Sequence, residues 1–443
     1  KGHEKTQDYK GHKKYFSDKK EILRSIKIKN ITLFKDFRLN IINEKTKNLS
    51  KNLFINKVCI NSKEVKKNDI FFAIKGKKNN GNQFIDEVFK KKSSLAIVNE
   101  INKNYSLSKQ IKVKNSLNFL TECASIYRNN LKSIIISITG SCGKTTLKEM
   151  LGNILKKMTD ASLSPKSFNN KYGVPLSLFN LKQNDQFGVL EVGMDKKGEI
   201  ENLTKIIRPD LGIITNISYA HSKNFENINQ IAGAKAEIMN NIKKGGTIVL
   251  NKDDKFYNFH KNLGLKKKLK VVSFSIKDKS SNIKLNKIKK VKNKYKLFIK
   301  TNSKSLAFYS HSNNKSNLYN ILATLASINL LSDITKLKKD IFLYVKTPIG
   351  RGNILKLKLQ RKQFFLVDET YNSNPLSLKT AIENYDNIKS KNSKKYLVLG
   401  DMLELGKHSL KQHKLISNIL NKTKIDYIYV IGNHIKETFK GLK

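Results

Sequence analysis

The sequence predicts an α/β protein of three domains, with a mostly parallel sheet in the central domain. Two observations support this fold class. From about residue 128 onwards, apolar segments of β character alternate with helical patterns. One of these strand-to-helix junctions is a short glycine loop. The length of 443 residues also allows more than one hydrophobic core.

Changes in the pattern along the chain predict the domain boundaries. Residues 1–28 are polar and have no core pattern of their own, whereas 29–127 read as a small α/β domain. Residues 128–345 form the predicted central domain, and 346–443 form a Rossmann-like C-terminal domain. We expect that last domain to be truncated, because a further strand is expected after Ile431.

Apolar β-type runs place the individual strands. In the first domain one strand covers Ile70, Phe71, Phe72, Ala73 and Ile74. The central and C-terminal strands are predicted at 133–139, 187–194, 210–218, 247–251, 364–368, 395–399 and 426–431. The lysine-rich stretch 265–300 is predicted to be an antiparallel excursion. Because ligands of open α/β sheets bind beyond the carboxyl ends of the strands, polar groups at those ends are candidate site residues.

The net charge of +52 at first suggests a nucleic-acid-binding protein. Only six of the 87 basic residues are arginine, however, and the lysines are spread along the whole chain. Specific nucleic-acid readers concentrate their charge and use arginine for bidentate contacts, so we predict no specific nucleic-acid partner. The three cysteines lack metal spacing, and no apolar run reaches the roughly 18 residues of a membrane span. These features predict a cytoplasmic protein.

The glycine loop is the most specific motif. It follows the strand at 133–139 and opens a helical pattern, so its backbone N–H groups and the helix N-terminus could bind phosphate. Lys144 would reach the outer phosphates of ATP, and Thr145 would ligate Mg²⁺. Only two residues separate the two loop glycines, so this loop is shorter than the general phosphate loop. The predicted nucleotide contacts are Gly140, Ser141, Cys142, Gly143, Lys144, Thr145 and Thr146.

Polar residues follow several central strands. Glu191 ends an apolar strand, where either a salt bridge to a lysine or a bound Mg²⁺ would satisfy its carboxylate. His221 follows the next strand and, judged alone, is more often a surface or loop-capping residue than a ligand. Lys235 lies in a helical stretch and, judged alone, is a solvated surface lysine. Asn251 ends a further strand, where a turn-forming role is as good as a binding role.

The last third of the chain repeats this arrangement. Arg351 stands between two glycines in a chain that otherwise prefers lysine, which indicates phosphate or carboxylate geometry. Asp368 ends a strand and is followed by Asn372 and Asn374, and Asp401 ends the next strand.

Taken in order, these motifs resemble the Mur ligase family, which has the same short glycine loop. The similarity covers about residues 29–443 and includes Glu191-Val192-Gly193-Met194 and Asp368-Glu369-Thr370-Tyr371-Asn372-Ser373-Asn374-Pro375. It extends to Gly400-Asp401-Met402-Leu403-Glu404-Leu405-Gly406, and these last two motifs resemble the branch that adds D-alanyl-D-alanine.

The resemblance implies a reaction and its cofactors, ATP and Mg²⁺. ATP would phosphorylate the peptide carboxylate of UDP-N-acetylmuramoyl-tripeptide, and the amine of D-alanyl-D-alanine would attack the acyl phosphate. The product would be the pentapeptide precursor of peptidoglycan, with ADP and phosphate.

The resemblance also assigns roles to residues. Lys144, His221, Lys235 and Arg351 would be catalytic, with Lys235 matching the family lysine that is carbamoylated. Thr145, Glu191 and His221 would hold Mg²⁺. Asn251, Asn317, Asn320, Arg351 and Asp368 would contact ATP outside the loop. The UDP-sugar peptide would contact Ser62, Lys63, Asn80, Gly81, Asn169 and Asn170. The dipeptide would contact Asn372, Asn374 and Asp401.

Residues 1–28 carry a second resemblance. Lys1-Gly2-His3-Glu4 and Phe16-Ser17-Asp18 are similar to the extreme C-terminus of the meso-diaminopimelate-adding Mur ligase. This predicts a chain natively fused to that preceding enzyme and otherwise monomeric, unless the similarity of a short polar tail is due to chance.

Three other interpretations stay open. A folylpolyglutamate synthase-like ligase shares the short loop, although the segments 69–76 and 371–375 disfavour it. A lysine-rich nucleic-acid-binding protein with a vestigial nucleotide loop is a second possibility. An inactive fragment of a ligase is the third.

Overall fold

The computed structural model describes residues 37–39, 53–359, 362–388 and 393–443. They fall into two compact units. The first contains the described residues up to Lys132 together with Pro175–Asn184, and the second contains Ser133–Val174 and Asp185–Lys443. The segment 1–28 lies outside the described residues, and the predicted domain boundaries at 28, 127 and 345 stay predictions.

The first unit is built on a small parallel sheet with strand order β3-β4-β5-β6. Its strands are β3 (Val58–Cys59), β4 (Ile70–Phe72), β5 (Leu95–Val98) and β6 (Gln110–Lys112). Its helices are α1 (Ile85–Lys90) and α2 (Ser116–Asn130), and β1 (Phe37–Leu39) pairs separately with β2 (Leu53–Ile55). The strand predicted at 70–74 is therefore confirmed as β4, although it ends two residues earlier.

The second unit contains a nine-stranded sheet with the order β15-β14-β13-β12-β11-β10-β7-β9-β8. Its strands are β7 (Ile134–Thr139), β8 (Ala161–Leu163), β9 (Phe187–Glu191), β10 (Leu211–Ile214), β11 (Thr247–Asn251), β12 (Lys270–Ser275), β13 (Ile283–Val291), β14 (Lys294–Lys300) and β15 (Ser305–Ser310). The pairings from β8 to β13 are parallel, which confirms the predicted mostly parallel sheet.

Helices connect and cover these strands. They are α3 (Lys144–Met158), α5 (Glu199–Ile207), α6 (Ile228–Ala236), α7 (Tyr257–Lys266) and α8 (Lys315–Leu331). Helix α4 (Gly173–Phe179) belongs from Pro175 onwards to the first unit. Apolar faces of α3 and α8 are buried with β-strand residues in one core, in which Leu151, Val189 and Leu325 are fully buried. This core fixes the strand ends from which the polar side chains project.

The prediction of an antiparallel stretch over 265–300 was wrong for its first part. Strand β12 pairs in parallel with β11, and β13 pairs in parallel with β12. Within the nine-stranded sheet, only the pairings of β14 with β13 and β15 are antiparallel. The alternation of lysines with apolar residues after 283 led to an antiparallel prediction for the whole stretch. Strand β12 instead follows helix α7 and is buried along most of its length, as a parallel strand is.

The C-terminal part of the second unit contains two strand pairs. The antiparallel pair is β16 (Asn353–Leu359) with β17 (Lys362–Asp368), and the parallel pair is β18 (Tyr396–Gly400) with β19 (Tyr427–Ile431). The helices are α9 (Pro375–Asp386), α10 (Ser409–Leu420) and α11 (Lys436–Lys440). A separate apolar cluster, including Ile382, Leu399 and Ile416, holds this part together. Strand β16 was not predicted from the sequence.

No helix among the described residues is long and apolar enough to cross a membrane.

A buried histidine joins two helices of the central sheet. His260 on α7 is 2% exposed, and its Nε2–H donates to the Ala232 carbonyl of α6 at 3.1 Å. Burial lowers the pKa of His260 to about 4, with a smaller contribution from the Lys235 ammonium. The folded protein therefore keeps this ring neutral at a pH at which an unfolded chain would protonate it.

We expect His260 to make stability depend on pH. The unfolded state gains a proton at this residue as the pH falls below about 6.5, whereas the folded state gains it only near 4. Stability from this source is present above pH 6.5 and is lost between about 6.5 and 4, by as much as roughly 3 kcal/mol. Denaturant unfolding of His260→Gln across this range should show a flatter pH dependence. The exposed His311 gives the control variant His311→Gln, and equal slopes for both variants would contradict the expectation.

Candidate active site

The glycine loop connects β7 to α3 as predicted, and its glycines are required by their surroundings. Gly140 has φ +141°, and a Cβ there would lie 1.9 Å from Thr215 Oγ1, so no larger residue fits. Gly143 has φ +81° and stands at the N-cap of α3. The loop therefore leads directly into a helix N-terminus, where phosphate binds well.

The loop is held by residues that follow β10. Ser141 N–H donates to the Asn216 carbonyl at 2.9 Å, and Cys142 N–H donates to Asn216 Oδ1 at 3.0 Å. Thr215 Oγ1 donates to the Cys142 carbonyl at 2.6 Å, and Ser141 Oγ donates to the Ser218 carbonyl at 2.9 Å. The sequence analysis did not assign a site role to Thr215 or Asn216. Their position at a strand end beside the glycine loop was the available signal.

Lys144 and Thr146 lie in the first turn of α3. Lys144 Nζ donates to the Gly140 carbonyl at 2.9 Å, so the ammonium lies against the loop that it would serve. An ammonium beside loop N–H groups gives this site the positive charge that phosphates require.

Glu191 is the central carboxylate of the site and is 2% exposed. Its Oε2 accepts from Thr145 Oγ1 at 2.8 Å, and its Oε1 accepts from Asn169 Nδ2 at 2.7 Å. The Glu191 N–H donates to Ser164 Oγ at 3.2 Å. No ion pair to this carboxylate exists within the described part of the chain, so the lysine salt bridge considered for it is absent there. The buried charge is stabilised by hydrogen bonds instead.

Residues of the C-terminal part reach the glycine loop. Arg351 Nη2 donates to Thr145 Oγ1 at 3.0 Å, and its guanidinium lies 4.4 Å from the centroid of the Tyr371 ring. Cys142 Sγ donates to Asn374 Oδ1 at 3.1 Å. The structure thus brings together Thr145, Glu191 and Arg351, three residues that the sequence analysis selected separately.

His221 lies in a second polar cluster, with Asp195 and Glu404. Its Nδ1 lies against Glu404 Oε2 and 3.5 Å from Asp195 Oδ1. His221 and Glu404 have φ values of +54° and +63°, so the backbone is strained at both ends of this pair. Burial and the Lys144 ammonium lower the pKa of His221, against the opposite effect of Glu404. Neither Thr145 nor Glu191 bonds to His221 among the residues described.

Lys235 is buried in helix α6 and is 1% exposed. Its Nζ has no hydrogen bond or ion pair with any other described residue. Burial and the neighbouring Lys144 ammonium lower the pKa of Lys235 well below the usual range of a lysine. A solvated surface lysine, the default reading of the sequence, is therefore excluded for this position.

The residues predicted to contact ATP outside the loop differ in their surroundings. The Asn320 amide lies against Gly143, with Oδ1 3.2 Å from where a Cβ would stand. Asn251 Nδ2 donates to the Thr215 carbonyl at 3.3 Å, and Asn317 Nδ2 donates to Ser310 Oγ at 2.9 Å. Asp368 Oδ1 accepts from the N–H and hydroxyl of Thr370, which follows it in the chain.

The three residues predicted to contact the dipeptide also differ. Asn372 is exposed. Asn374 caps α9, because its Oδ1 accepts from the Leu376 and Ser377 N–H groups. Asp401 accepts from the N–H groups of residues 433, 434 and 435, so it organises the turn after β19. The dipeptide role of all three stays a prediction.

Four predicted contacts of the UDP-sugar peptide lie in the first unit. Ser62 is buried and Lys63 is exposed. Asn80 Oδ1 accepts from the Asn82 N–H at 3.1 Å. A Cβ on Gly81 would lie 2.6 Å from the Ile74 nitrogen, so only glycine fits this close approach.

Two more predicted contacts of that substrate lie in the second unit. Asn169 bonds to Glu191, as described above. Asn170 Oδ1 accepts from the Gly173 N–H at 3.0 Å, at the start of α4. The substrate contacts of both groups stay predictions.

Comparison with known sequences supports the assignment of this chain to the Mur ligases. A family model described as the Mur ligase middle domain matches residues 138–328. The chain is 33% identical over 396 residues to the UDP-N-acetylmuramoyl-tripeptide–D-alanyl-D-alanine ligase of Buchnera aphidicola subsp. Acyrthosiphon pisum, covering 88% of this chain and 83% of the relative. It is 30% identical over 391 residues to the ligase of the same name from Rickettsia prowazekii, covering 88% and 85%.

Solved structures give the same result. A crystal structure of MurF from Acinetobacter baumannii matches with a TM-score of 0.77 and 27% identity, covering 88% of this chain and 83% of that one. MurF ligase from Thermotoga maritima, solved in complex with ADP, matches with a TM-score of 0.72 and 27% identity, covering 86% of each chain. The chain therefore belongs to the Mur ligase family, and within it to the UDP-N-acetylmuramoyl-tripeptide–D-alanyl-D-alanine ligases.

Proposed function

We propose that this chain joins D-alanyl-D-alanine to UDP-N-acetylmuramoyl-tripeptide and converts ATP to ADP and phosphate. The observation that carries the proposal is the contact of Arg351 with Thr145, which brings a guanidinium of the C-terminal part to the glycine loop, where it would contact the nucleotide. The named ligases among its relatives supply the substrate class.

The chemistry requires an activated carboxyl group. A peptide carboxylate does not react with an amine at neutral pH, so the terminal phosphoryl group of ATP is transferred to it first. The amine of the dipeptide then attacks the acyl phosphate, an amide bond forms, and phosphate leaves. Phosphoryl transfer of this kind needs mainly positioning and charge neutralisation.

The charged groups around the glycine loop fit that requirement. Lys144 would exchange its bond to the Gly140 carbonyl for the phosphates, and the first turn of α3 adds its N–H groups. Arg351 would contribute a second fixed positive charge from the C-terminal part. Asn320 beside Gly143 supports a nucleotide contact there, and we propose Asn251, Asn317 and Asp368 as further contacts with the nucleotide.

The donor set at Thr145 and Glu191 fits magnesium. Mg²⁺ prefers hydroxyl and carboxylate oxygens, and Glu191 is a buried carboxylate that faces the loop with no cationic partner in the described structure. When bound, the ion neutralises phosphate charge. His221 lies apart from this pair with two carboxylates close by, which suits a second ion near the substrate carboxylate.

Lys235 fits the role of a carbamoylated lysine. Its buried Nζ has no partner among the described residues, and the lowered pKa makes the neutral amine available. That amine can add to CO₂, which gives a carbamate and releases one proton. The product is an anion and would be attracted by the neighbouring Lys144 ammonium.

The substrates would approach from different elements. We propose that the UDP-sugar peptide contacts Ser62, Lys63, Asn80 and Gly81, together with Asn169 and Asn170. The dipeptide would contact Asn372, Asn374 and Asp401. Exclusion of water from the assembled site would protect the acyl phosphate from hydrolysis.

We also propose that residues 1–28 are the C-terminus of a preceding meso-diaminopimelate-adding Mur ligase. The support is the Gly2-His3-Glu4 motif and its similarity to that enzyme. The genomic sequence upstream of this segment should encode the rest of that ligase in the same reading frame. We also propose a monomeric and cytoplasmic protein; the support for the compartment is that the three cysteines form no disulfide in the described structure.

Phosphate release tests the function. Release with ATP, Mg²⁺ and UDP-N-acetylmuramoyl-tripeptide should depend on added D-alanyl-D-alanine, and mass spectrometry should find the pentapeptide product. Lys144→Ala should lower turnover by about 100-fold or more, because a positioned charge is lost at the phosphates. Lys156→Ala on the exposed side of α3 is the matched control and should keep full activity. Release that ignores the dipeptide would contradict the proposed function.

The magnesium assignment has its own test. Glu191→Gln keeps the shape and removes the charge, so we expect turnover to need an at least tenfold higher Mg²⁺ concentration. Titration of Mg²⁺ at saturating ATP measures this. Glu201→Gln, at a half-exposed position on α5, is the control. An unchanged magnesium dependence of Glu191→Gln would remove Glu191 from the metal site.

Lys235 can be tested without turnover. Protein equilibrated with ¹³C-labelled bicarbonate should show a carbamate carbon by NMR that is missing from Lys235→Met. Lys148→Met is the matched control, because Lys148 is equally buried but its Nζ already donates to the Ser164 carbonyl at 2.7 Å. A carbamate signal that survives in Lys235→Met would assign the modification elsewhere.

A further inference from the structure

The segment 164–170, which follows β8, is fixed by a buried lysine. Lys148 on α3 is fully buried, and its Nζ donates to the carbonyl groups of Ser164 and Lys166. Lys166 has φ +46°, so the backbone is strained at the residue whose carbonyl group accepts from Lys148. We call this segment the 164–170 loop. The hydrogen bonds of Lys148 therefore fix the position of this loop relative to α3, the helix that carries Thr145.

Two side chains of the 164–170 loop face the proposed magnesium ligands. Asn169 donates to Glu191, as described above, and Ser167 Oγ lies 3.5 Å from Thr145 Oγ1. The Thr145 hydroxyl is thus surrounded by Glu191, Ser167 and Arg351.

Tyr371 reaches the same hydroxyl by two routes. Its O–H donates to Ser167 Oγ at 2.7 Å, across 204 positions of the sequence. Its ring lies beneath the Arg351 guanidinium, which itself donates to Thr145 at 3.0 Å. One side chain of the C-terminal part therefore orders two of the three neighbours of Thr145, Ser167 and Arg351.

The hydrogen bonds have a direction. Because the Ser167 oxygen accepts the proton of Tyr371, the Ser167 proton is available for the Thr145 oxygen. Thr145 in turn donates to Glu191. The Tyr371–Ser167 and Thr145–Glu191 hydrogen bonds, at 2.7 and 2.8 Å, then share one direction, and the longer 3.5 Å separation between Ser167 Oγ and Thr145 Oγ1 lies between them.

We propose that Tyr371 and Ser167 are positioning residues of the ligase. They hold the Thr145 hydroxyl and the Arg351 guanidinium in place when the C-terminal part lies against the glycine loop. The inference rests on the proposed function, because the step that it affects is phosphoryl transfer. Neither residue touches the reacting atoms, and both act through Thr145 and Arg351.

The variant Tyr371→Phe tests the hydroxyl route alone, because it keeps the ring under Arg351. We expect kcat to fall about fivefold to tenfold, the effect of one lost hydrogen bond in the site. KM for ATP should change less than twofold, and ADP affinity measured by calorimetry should match the wild type. Ser167→Ala should give the same loss, and the double variant should lose no more than either single variant. Tyr371→Leu should lose more, because the guanidinium also loses its support.

Tyr344 is the matched control for this experiment. Its O–H donates to Asp340 at 3.1 Å and the Lys157 ammonium lies over its ring at 5.0 Å, so it makes both kinds of contact away from the site. Tyr344→Phe should retain wild-type kcat. Wild-type kcat in Tyr371→Phe, or losses that multiply in the double variant, would overturn the inference. If the wild-type chain shows no dipeptide-dependent phosphate release, the proposed function fails instead.

Discussion

The buried carboxylate of Glu191 is the constraint around which the site is organised. Glu191 is 2% exposed at the end of an apolar strand, so its buried charge requires hydrogen-bond donors. Two segments of the chain supply them. Thr145 comes from the first turn of α3 and Asn169 comes from the loop after β8. Because Thr145 is committed to Glu191, its remaining acceptor capacity faces the C-terminal part, where Arg351 uses it. The hydrogen bonds that begin at this one carboxylate thus link α3, the loop after β8 and the C-terminal part.

Much of the fold could be predicted from the sequence because its signals are local. The glycine loop, the run of apolar residues before it and the helical period after it all lie within about 25 residues. The strand at 247–251 was predicted at the residues where β11 lies. The direction of strand pairing is not a local property. The parallel pairing of β12 depends on the crossover through α7, and the lysine alternation that follows it obscured this.

The contacts that build the site could not be predicted in the same way. Asn216 bonds to Cys142 across 74 positions, and Tyr371 bonds to Ser167 across 204. Nothing in the composition of either segment names the other. Lys235 is the clearest case, because among the described lysines it combines burial with an Nζ that has no described partner, whereas the equally buried Lys148 donates to a carbonyl group. The resemblance to a family selected it, and the structure gives the physical reason why it is unlike the other lysines.

The attachment of the glycine loop to the segment after β10 has a consequence for folding. Ser141 and Ser218 are 77 positions apart, so the loop acquires its geometry only after β10 has been placed beside β7. The geometry that would bind a nucleotide is therefore complete only when β10 lies beside β7. Bound nucleotide would therefore favour the assembled sheet over every less ordered state, by an amount set by its concentration relative to its dissociation constant. In a cell, bound ATP would therefore stabilise the fold of this domain in addition to serving as a substrate of the reaction.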